Sequence, residues 1–561
     1  MLWGGTLTSL LVAAVVMADT VIAGMVLGEN GVAGVNLVMP IYSLASFFAL
    51  LFSLGIPIMY SNLLGAFKKE EADKAFGTGL LMTVCIGGAL FLLLLLFGKT
   101  YLRFYYAPPE IYELADDYLK WMKYVVLLTP VNALVSGMVF ADGDDVISAV
   151  SNIISGVGNI VLSVFLCRAM GIEGLGLASF ISLAVSFGSL FIHFAKKSNS
   201  LRLNLSFSAE NVKNTVKYSI VDSSTYLFIA VFTYCCNRIV LHFFGPKWLF
   251  VAAIITFIKE LQILFDGIGS AISPLISLYL GEGTYDGVRE IWDHAKRTSV
   301  IESVIVTGLT IIFAPLIVRI IGITDHGPAL IAANELRILS LTLFFTCRMY
   351  LDSSYYIIAD RIPLGVFVCA LRDISISLPL ALLGALFGGI EGMAIGVTAA
   401  QPIGYLLSVA YVWRRYGKEN YPLFIAENER TKRALFYELD ISPDNIVSVR
   451  DNIGKDLKEK GFKNETVNRI MLLVEETLML IFENNPKKKV LAECSVLLGD
   501  KLILVIKDDG VLFDLTDSDM APTSLRRYVI SNMAEKISDK RRHFLALSYN
   551  RNMFEIRQDR S

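Results

Sequence analysis

The chain has 561 residues, 54% of them hydrophobic and only 18% charged, and a mean hydropathy of +0.57. That is too apolar for a soluble protein of this size. The net charge of −2 gives no reason to expect a nucleic-acid partner, and seven cysteines without a CxxC pair or framework spacing read as free thiols rather than a disulfide or metal scaffold.

A membrane-spanning helix needs about 20 mostly apolar residues. Twelve such spans are expected in chain order, near 2–27, 31–60, 77–104, 115–140, 146–168, 172–195, 214–244, 248–280, 296–322, 329–358, 362–386 and 391–413. The first is longer than a signal-peptide core and has no basic start, so it reads as a retained span. An even count puts both termini on one side. The loops on that side, including "FKKEEADK", "AKKSNSLRLN", "REIWDHAKR" and "WRRYGK", carry most of the loop Lys and Arg. The positive-inside rule therefore places both termini in the cytoplasm of a multi-pass cell-membrane protein.

The spans fall into two copies of one unit. "ADGDD" at 141 and "MGIEG" at 170 recur as "ADRIP" at 359 and "GGIEG" at 388, so the two landmarks share one offset with no gap between them. Six spans per copy is even, so the copies share a topology and are related by an axis along the membrane normal, an arrangement suited to a transporter with a central cavity. The expected layout is an N-lobe over 1–195, a C-lobe over 196–415, a linker over 416–433 and a soluble domain over 434–561. The charge distribution agrees with that last boundary: 46 of the 102 charged residues lie in 421–561.

Ionisable residues inside spans are costly and each needs a reason. Arg348 and Asp352 have the i,i+4 spacing of a self-neutralising pair. Lys259–Glu260 and Arg372–Asp373 are adjacent, so their side chains should point about 100° apart and find partners on other helices. Asp19, in "VMADTVIAG", has no basic residue within a turn. It is a candidate proton or cation site, against the plainer reading of a helix-end aspartate.

The pieces "DTVIAGMVLGENGVAGVNLVMPI", "LLGAFKKEEADKAFGTG" and "ADGDDVISAVSNIISGVGNIVLSVFLCRAMGIEGLGLASFISL" resemble the multidrug and toxic compound extrusion (MATE) family over about 1–415. The resemblance implies a secondary-active antiporter, set in the lipid bilayer, that exports small amphipathic or cationic compounds and is driven by inward H⁺ or Na⁺. It implies ion-coupling roles for Asp19 and Asn159. The family's span-5 aspartate falls on Ser163, which removes a carboxylate, and Asp373 is the candidate substitute charge in the other lobe.

Beyond the linker, "SPDNIVSVRDNIGKDLKEKG" and "NETVNRIMLLVEETLMLIFENN" read as helices, the second capped by Asn464. "VLAECSVLLGDKLILVIKDDG" reads as a hairpin turning at Gly499-Asp500, "LRRYVISNMAEKI" as a helix, and "HFLALSYNRNMFEIRQ" as a hairpin with Asn550 in its turn. The expected fold is a cytoplasmic α+β sandwich. "RIMLLVEETL" and "IKDDGVLFDL" resemble the ATP-binding domain of histidine kinases and anti-sigma-factor kinases (the GHKL type). That resemblance implies possible nucleotide-binding roles for Glu476 as general base, Asp508 as the adenine contact and Gly510 as the turn glycine. Its magnesium-binding Asn falls on Leu480, which cannot ligate a hard cation, and the second glycine box falls near Ser524-Leu525-Arg526. A pseudo-ATPase is expected: weak ATP or ADP binding at most, no hydrolysis, no required cofactor. With no GxxxxGK[ST] loop, metal cluster or nucleophile triad, the chain does not read as an enzyme. Two other readings stay open, a flippase for lipid-linked glycans or lipids, and a membrane sensor using a transporter-like bundle.

Overall fold

The computed structural model describes the chain apart from residues 1, 66–68, 143, 197–198, 200, 283–284, 324, 430–433, 487, 499–501, 512–524, 545–546 and 557–561. It divides into two compact units, one of Leu2–Ala271 with Ala295–Tyr411, the other of Ile272–His294 with Val412–Ser561.

The first unit is helical. Among the described residues, ten helical stretches are long and apolar enough to cross a membrane: Met17–Tyr60, Lys69–Arg103, Pro109–Ala141, Val146–Met170, Ile172–Phe194, Ala209–Phe243, Pro246–Ser277, Tyr285–Ile320, His326–Ile358 and Ile362–Tyr416. The last is 55 residues long. A straight helix of that length would measure about 80 Å, more than twice the roughly 30 Å hydrocarbon core. It is interrupted by non-helical Gly389, as the 44-residue first stretch is by Gly28.

Lys69–Arg103 presents Leu92, Leu93, Leu95, Leu96 and Phe97 outward, each more than half exposed, as suits a surface whose solvent is lipid. The inner faces carry small residues and paired polar groups. Asn36 Nδ2 donates to Asn237 Oδ1 at 2.7 Å, and Asn237 Nδ2 donates back to the Asn36 carbonyl at 3.1 Å. This buried two-way amide pair ties the helix after Gly28 to the helix Ala209–Phe243. Near "ADGDD", the His193 ring lies between Asp142 and Asp144, 2.9 Å from each carboxylate. The Lys196 ammonium, then the His193 ring, hold the Asp144 carboxyl down at about 2.

Two short π-helical stretches interrupt the bundle, Ile154–Gly158 and Leu371–Ser375. Their positions in the two halves correspond almost to the residue under the repeat read from the sequence motifs. Each sits just before or over charged and polar residues singled out above: Asn159 follows the first, and Arg372–Asp373 lies within the second.

In the second unit an antiparallel sheet has the order β1-β2-β3-β5-β4, with β1 Ala434–Asp440, β2 Leu491–Leu498, β3 Leu502–Asp508, β4 Lys536–Phe544 and β5 Leu547–Ile556. Helices Pro443–Glu459 and Asn464–Asn484 cover one face, packing Ile453, Ile470, Val474 and Ile481 on Cys494, Val496, Leu504, Ile506 and Phe554. Two local expectations are corrected. Lys463 occupies the cap position and Asn464 is already helical. Residues 434–440, at the start of the soluble domain and given no element from the sequence, form edge strand β1 paired to β2. Asn550 is not in a turn but inside β5, opposite Asp508 of β3. The expected Gly499-Asp500 turn lies outside the described residues.

Candidate functional site

Asp19 sits on the first membrane helix, before the Gly28 break. Its Oδ2 accepts hydrogen bonds from the Tyr118 hydroxyl at 2.6 Å and from Ser179 Oγ at 3.1 Å. Among the described residues its Oδ1 is buried without a hydrogen-bond partner. Ser179 is in turn held by Asn159, whose Nδ2 donates to it at 2.8 Å, while Ser163 Oγ donates to Asn159 Oδ1 at 3.1 Å. The departure at Ser163 is thus part of the same chain of hydrogen bonds: a hydroxyl orients Asn159, which orients Ser179, which points at the carboxylate.

Asp19, Tyr118, Asn159 and Ser179 line a cavity of about 190 Å³, together with Tyr42, Thr129, Asn132, Asn152 and Ser182. The lining is rich in neutral oxygen donors around one carboxylate. Oxygen ligands of this kind suit a hard cation or a proton held on the carboxyl itself. Asp19 and Asn159, the two residues to which the resemblance gives ion-coupling roles, line the same cavity. Tyr118 and Ser179, 99 and 160 residues from Asp19 along the chain, carry no signal in the sequence that singles them out.

Asp373 does not join them. It is 1% exposed in the C-lobe, its carboxylate gripped by Arg372 at 3.0 and 2.8 Å, with Lys259 Nζ at 3.8 Å. The expectation that Arg372 and Asp373 point apart is therefore corrected. The reach of arginine lets the guanidinium curl back onto its neighbour. Arg372 also donates to Thr225 at 2.8 Å and lies 3.5 Å from the centre of the Tyr350 ring. Arg348 and Asp352 pair at 3.1 Å, as their spacing predicts.

In the tail, Asp508 is buried at the end of β3. Its Oδ1 accepts from Asn550 Nδ2 at 2.8 Å and from the Gly510 amide at 2.9 Å. Its Oδ2 and Asn550 Oδ1 are buried without partners among the described residues. Burial, the largest influence, pushes the Asp508 carboxyl up to about 6. Gly510 is required by space: a Cβ there would lie 2.7 Å from Asn485 Nδ2 and 2.9 Å from Asp508 Oδ1. Glu476 is ion-paired to Arg526, which also reaches Glu483 at 3.1 Å. Leu480 is 6% exposed in the tail core, and Asn484 spends its amide on the Leu480 carbonyl at 3.0 Å. Asp508 and Gly510 therefore meet; Glu476 lies in a separate ion pair. Ser524 and residues 512–514 lie outside the described residues.

Residues 6–165 match the MatE family model. The chain is similar in fold to the inward-facing conformation of a multidrug resistance MATE family transporter of the MOP superfamily (TM-score 0.64, 16% identity, covering 75% of this chain and 96% of that one). It is similar also to the outward-facing conformation of such a transporter (TM-score 0.59, 19% identity, covering 76% and 94%). A third likeness is to a MOP superfamily transporter from Pyrococcus furiosus, described as having a binding pocket of reverse polarity (TM-score 0.56, 17% identity, covering 76% and 96%). No curated protein matches in sequence. The membrane part thus has the fold of MATE family transporters.

Proposed function

We propose that the protein is a secondary-active exporter of small amphipathic or cationic compounds, driven by inward H⁺ or Na⁺ and working by alternating access. One observation carries the reading: the Asp19 carboxylate faces a cavity with one oxygen fixed by Tyr118 and Ser179 and the other unpaired. An ion that binds there from one side and leaves to the other couples its own gradient to the exchange of conformations. The glycine breaks at Gly28 and Gly389 support counting the two longest stretches as two spans each, giving twelve, with both termini cytoplasmic.

For the tail we propose a regulatory, non-hydrolysing domain. A ligand amino group, such as that of adenine in ATP or ADP, matches the unpaired acceptors of Asp508 and Asn550. Leu480 in the core and Glu476 in an ion pair support the absence of hydrolysis. A lipid-phosphate flippase is less well supported, since the buried Arg372 is already matched by Asp373.

The test is export of a fluorescent organic cation from proteoliposomes under an imposed proton or sodium gradient, wild type against Asp19→Asn. Flux that follows the gradient and collapses in the variant is the expected result. Flux that persists unchanged in Asp19→Asn would remove the assigned coupling role, and no flux in the folded wild type would remove the exporter reading.

A further inference from the structure

The tail sheet has two faces, and only one of them packs on the tail's own helices. Side chains alternate along a strand, so Phe436, Glu438, Glu493, Ser495, Val505 and Lys507 share the second face. The cross-strand pairs Glu438–Glu493, Phe436–Ser495, Glu493–Lys507 and Ser495–Val505 confirm the register. A face turned to water would leave these residues open. Instead Ser495 is 1%, Val505 0% and Lys507 6% exposed.

The segment Ile272–His294, which belongs to the same compact unit although it comes far earlier in the chain than β1, lies against Phe436, Glu493 and Lys507 of this face. The Lys507 ammonium lies 4.3 Å from the centre of the Tyr279 ring, and 3.7 Å from Glu493. The Tyr279 hydroxyl donates to Glu493, and its ring meets Phe436 edge to face with centroids 6.0 Å apart. Tyr279, Val288 and Trp292 of the segment are all buried. A nearly buried lysine held by an aromatic face and a carboxylate is a specific contact, because uncovering it on one side leaves its partners mismatched.

The covering segment is not a free loop. Tyr279 lies near the end of the helix Asp266–Glu282, and Val288 and Trp292 lie near the start of the helix Tyr285–Ile320. Both helices run into stretches apolar enough to span a membrane. We infer that the second face of the tail sheet is an intrachain latch: it docks on the ends of two consecutive membrane helices and restrains their movement. Releasing the latch frees that helix pair for the conformational exchange that transport requires. The restraint on flux rests on the transporter reading above; the docking does not.

The experiment uses the full chain in proteoliposomes. Tyr279→Ala changes only the membrane-helix side, and Lys507→Glu changes the sheet side. Amide exchange over 285–294 reports docking, exchange over 464–484 reports the fold of the tail, and substrate flux reports restraint. The expected result in Tyr279→Ala is exchange over 285–294 faster by tenfold or more, exchange over 464–484 unchanged, and flux raised at least threefold. Lys507→Glu should reproduce it. Unchanged exchange over 285–294 in Tyr279→Ala would overturn the docking. Faster exchange with unchanged flux would overturn the restraint and leave a static scaffold. An absence of flux in every form, wild type included, would count against the transporter reading, and the exchange result would still decide the docking.

Discussion

Gly171 and Gly389 share one backbone conformation, φ 68° and ψ −148° at the first, φ 65° and ψ −148° at the second. They occupy equivalent places in the two halves, each the glycine immediately before "IEG", in "MGIEG" and "GGIEG". Both sit in a region that side chains with a Cβ rarely enter, and both end one helix while beginning the next. Nothing lies within 4 Å of a Cβ built at either site. Alanine at either position therefore meets no clash, only backbone strain of about 1–3 kcal/mol. We expect Gly171→Ala and Gly389→Ala to lower stability by similar amounts in thermal unfolding in detergent. A large loss at one and none at the other would argue that the two corners are not equivalent.

The hydrogen bonds that fix Asp19 predict graded shifts in coupling. A hydrogen bond to a charged group contributes about 1.5–3 kcal/mol, and the 2.6 Å Tyr118 bond is the shorter of the two at this carboxylate. Tyr118→Phe should move the ion concentration needed for half-maximal flux about tenfold or more, downward for H⁺, because the lost donor favours the ionised carboxylate. Ser179→Ala should give a smaller change, and Asn159→Leu should resemble it, because Asn159 reaches Asp19 only through Ser179. An Asn159 variant more damaging than the Ser179 variant would show that Asn159 touches the ion itself.

Arg372 and Asp373 form a buried pair, 0% and 1% exposed. Removing one member of such a pair typically costs about 3–5 kcal/mol, whereas replacing both by apolar groups is often neutral. Asp373→Leu alone should leave Arg372 and Lys259 facing each other unneutralised and give little folded protein. The triple variant Lys259→Met, Arg372→Met, Asp373→Leu, which removes every charge of the cluster, should recover much of the yield, measured by size-exclusion chromatography in detergent. If the triple variant folds and still transports at the wild-type rate, Asp373 has no coupling role.

Much of this is legible in the sequence because local rules govern it. Hydropathy marks membrane helices, and Arg348–Asp352 follows directly from helical spacing. Asp19 stands out because a lone carboxylate in an apolar segment demands a reason. Tyr118 and Ser179 do not: a tyrosine and a serine in spans are ordinary, and only tertiary packing brings them to Asp19. Arg372 and Asp373 depart from expectation because an arginine side chain is long enough to curl back onto its neighbour, which the angle between adjacent Cβ directions does not capture. Asn550 departs from it because "NRN" carries the composition of a turn, while cross-strand register with Asp508 is a non-local property. Residues 434–440 open the soluble domain directly after a charged run, and the strand period of Leu435, Tyr437 and Leu439 is the signal there that gives β1.

Asp508 gives a stability prediction with a definite sign. Its carboxyl, near 3.9 in an unfolded chain, is raised to about 6 by burial in the folded tail. The folded state therefore prefers the protonated form. The stability linked to that proton is fully present below about pH 4 and is lost as pH rises through about 6. A shift of about two units corresponds to roughly 3 kcal/mol. Asn at this position keeps an oxygen to accept from Asn550 and the Gly510 amide, brings an amide that suits the unpaired Asn550 Oδ1, and carries no charge at any pH. Asp508→Asn should thus match the wild type at pH 4 and exceed it by about 2–3 kcal/mol at pH 7.5, read from urea unfolding of the full chain through amide exchange over 464–484. Parallel curves for the two proteins across that range would show that the Asp508 carboxylate is solvated or paired in the folded tail.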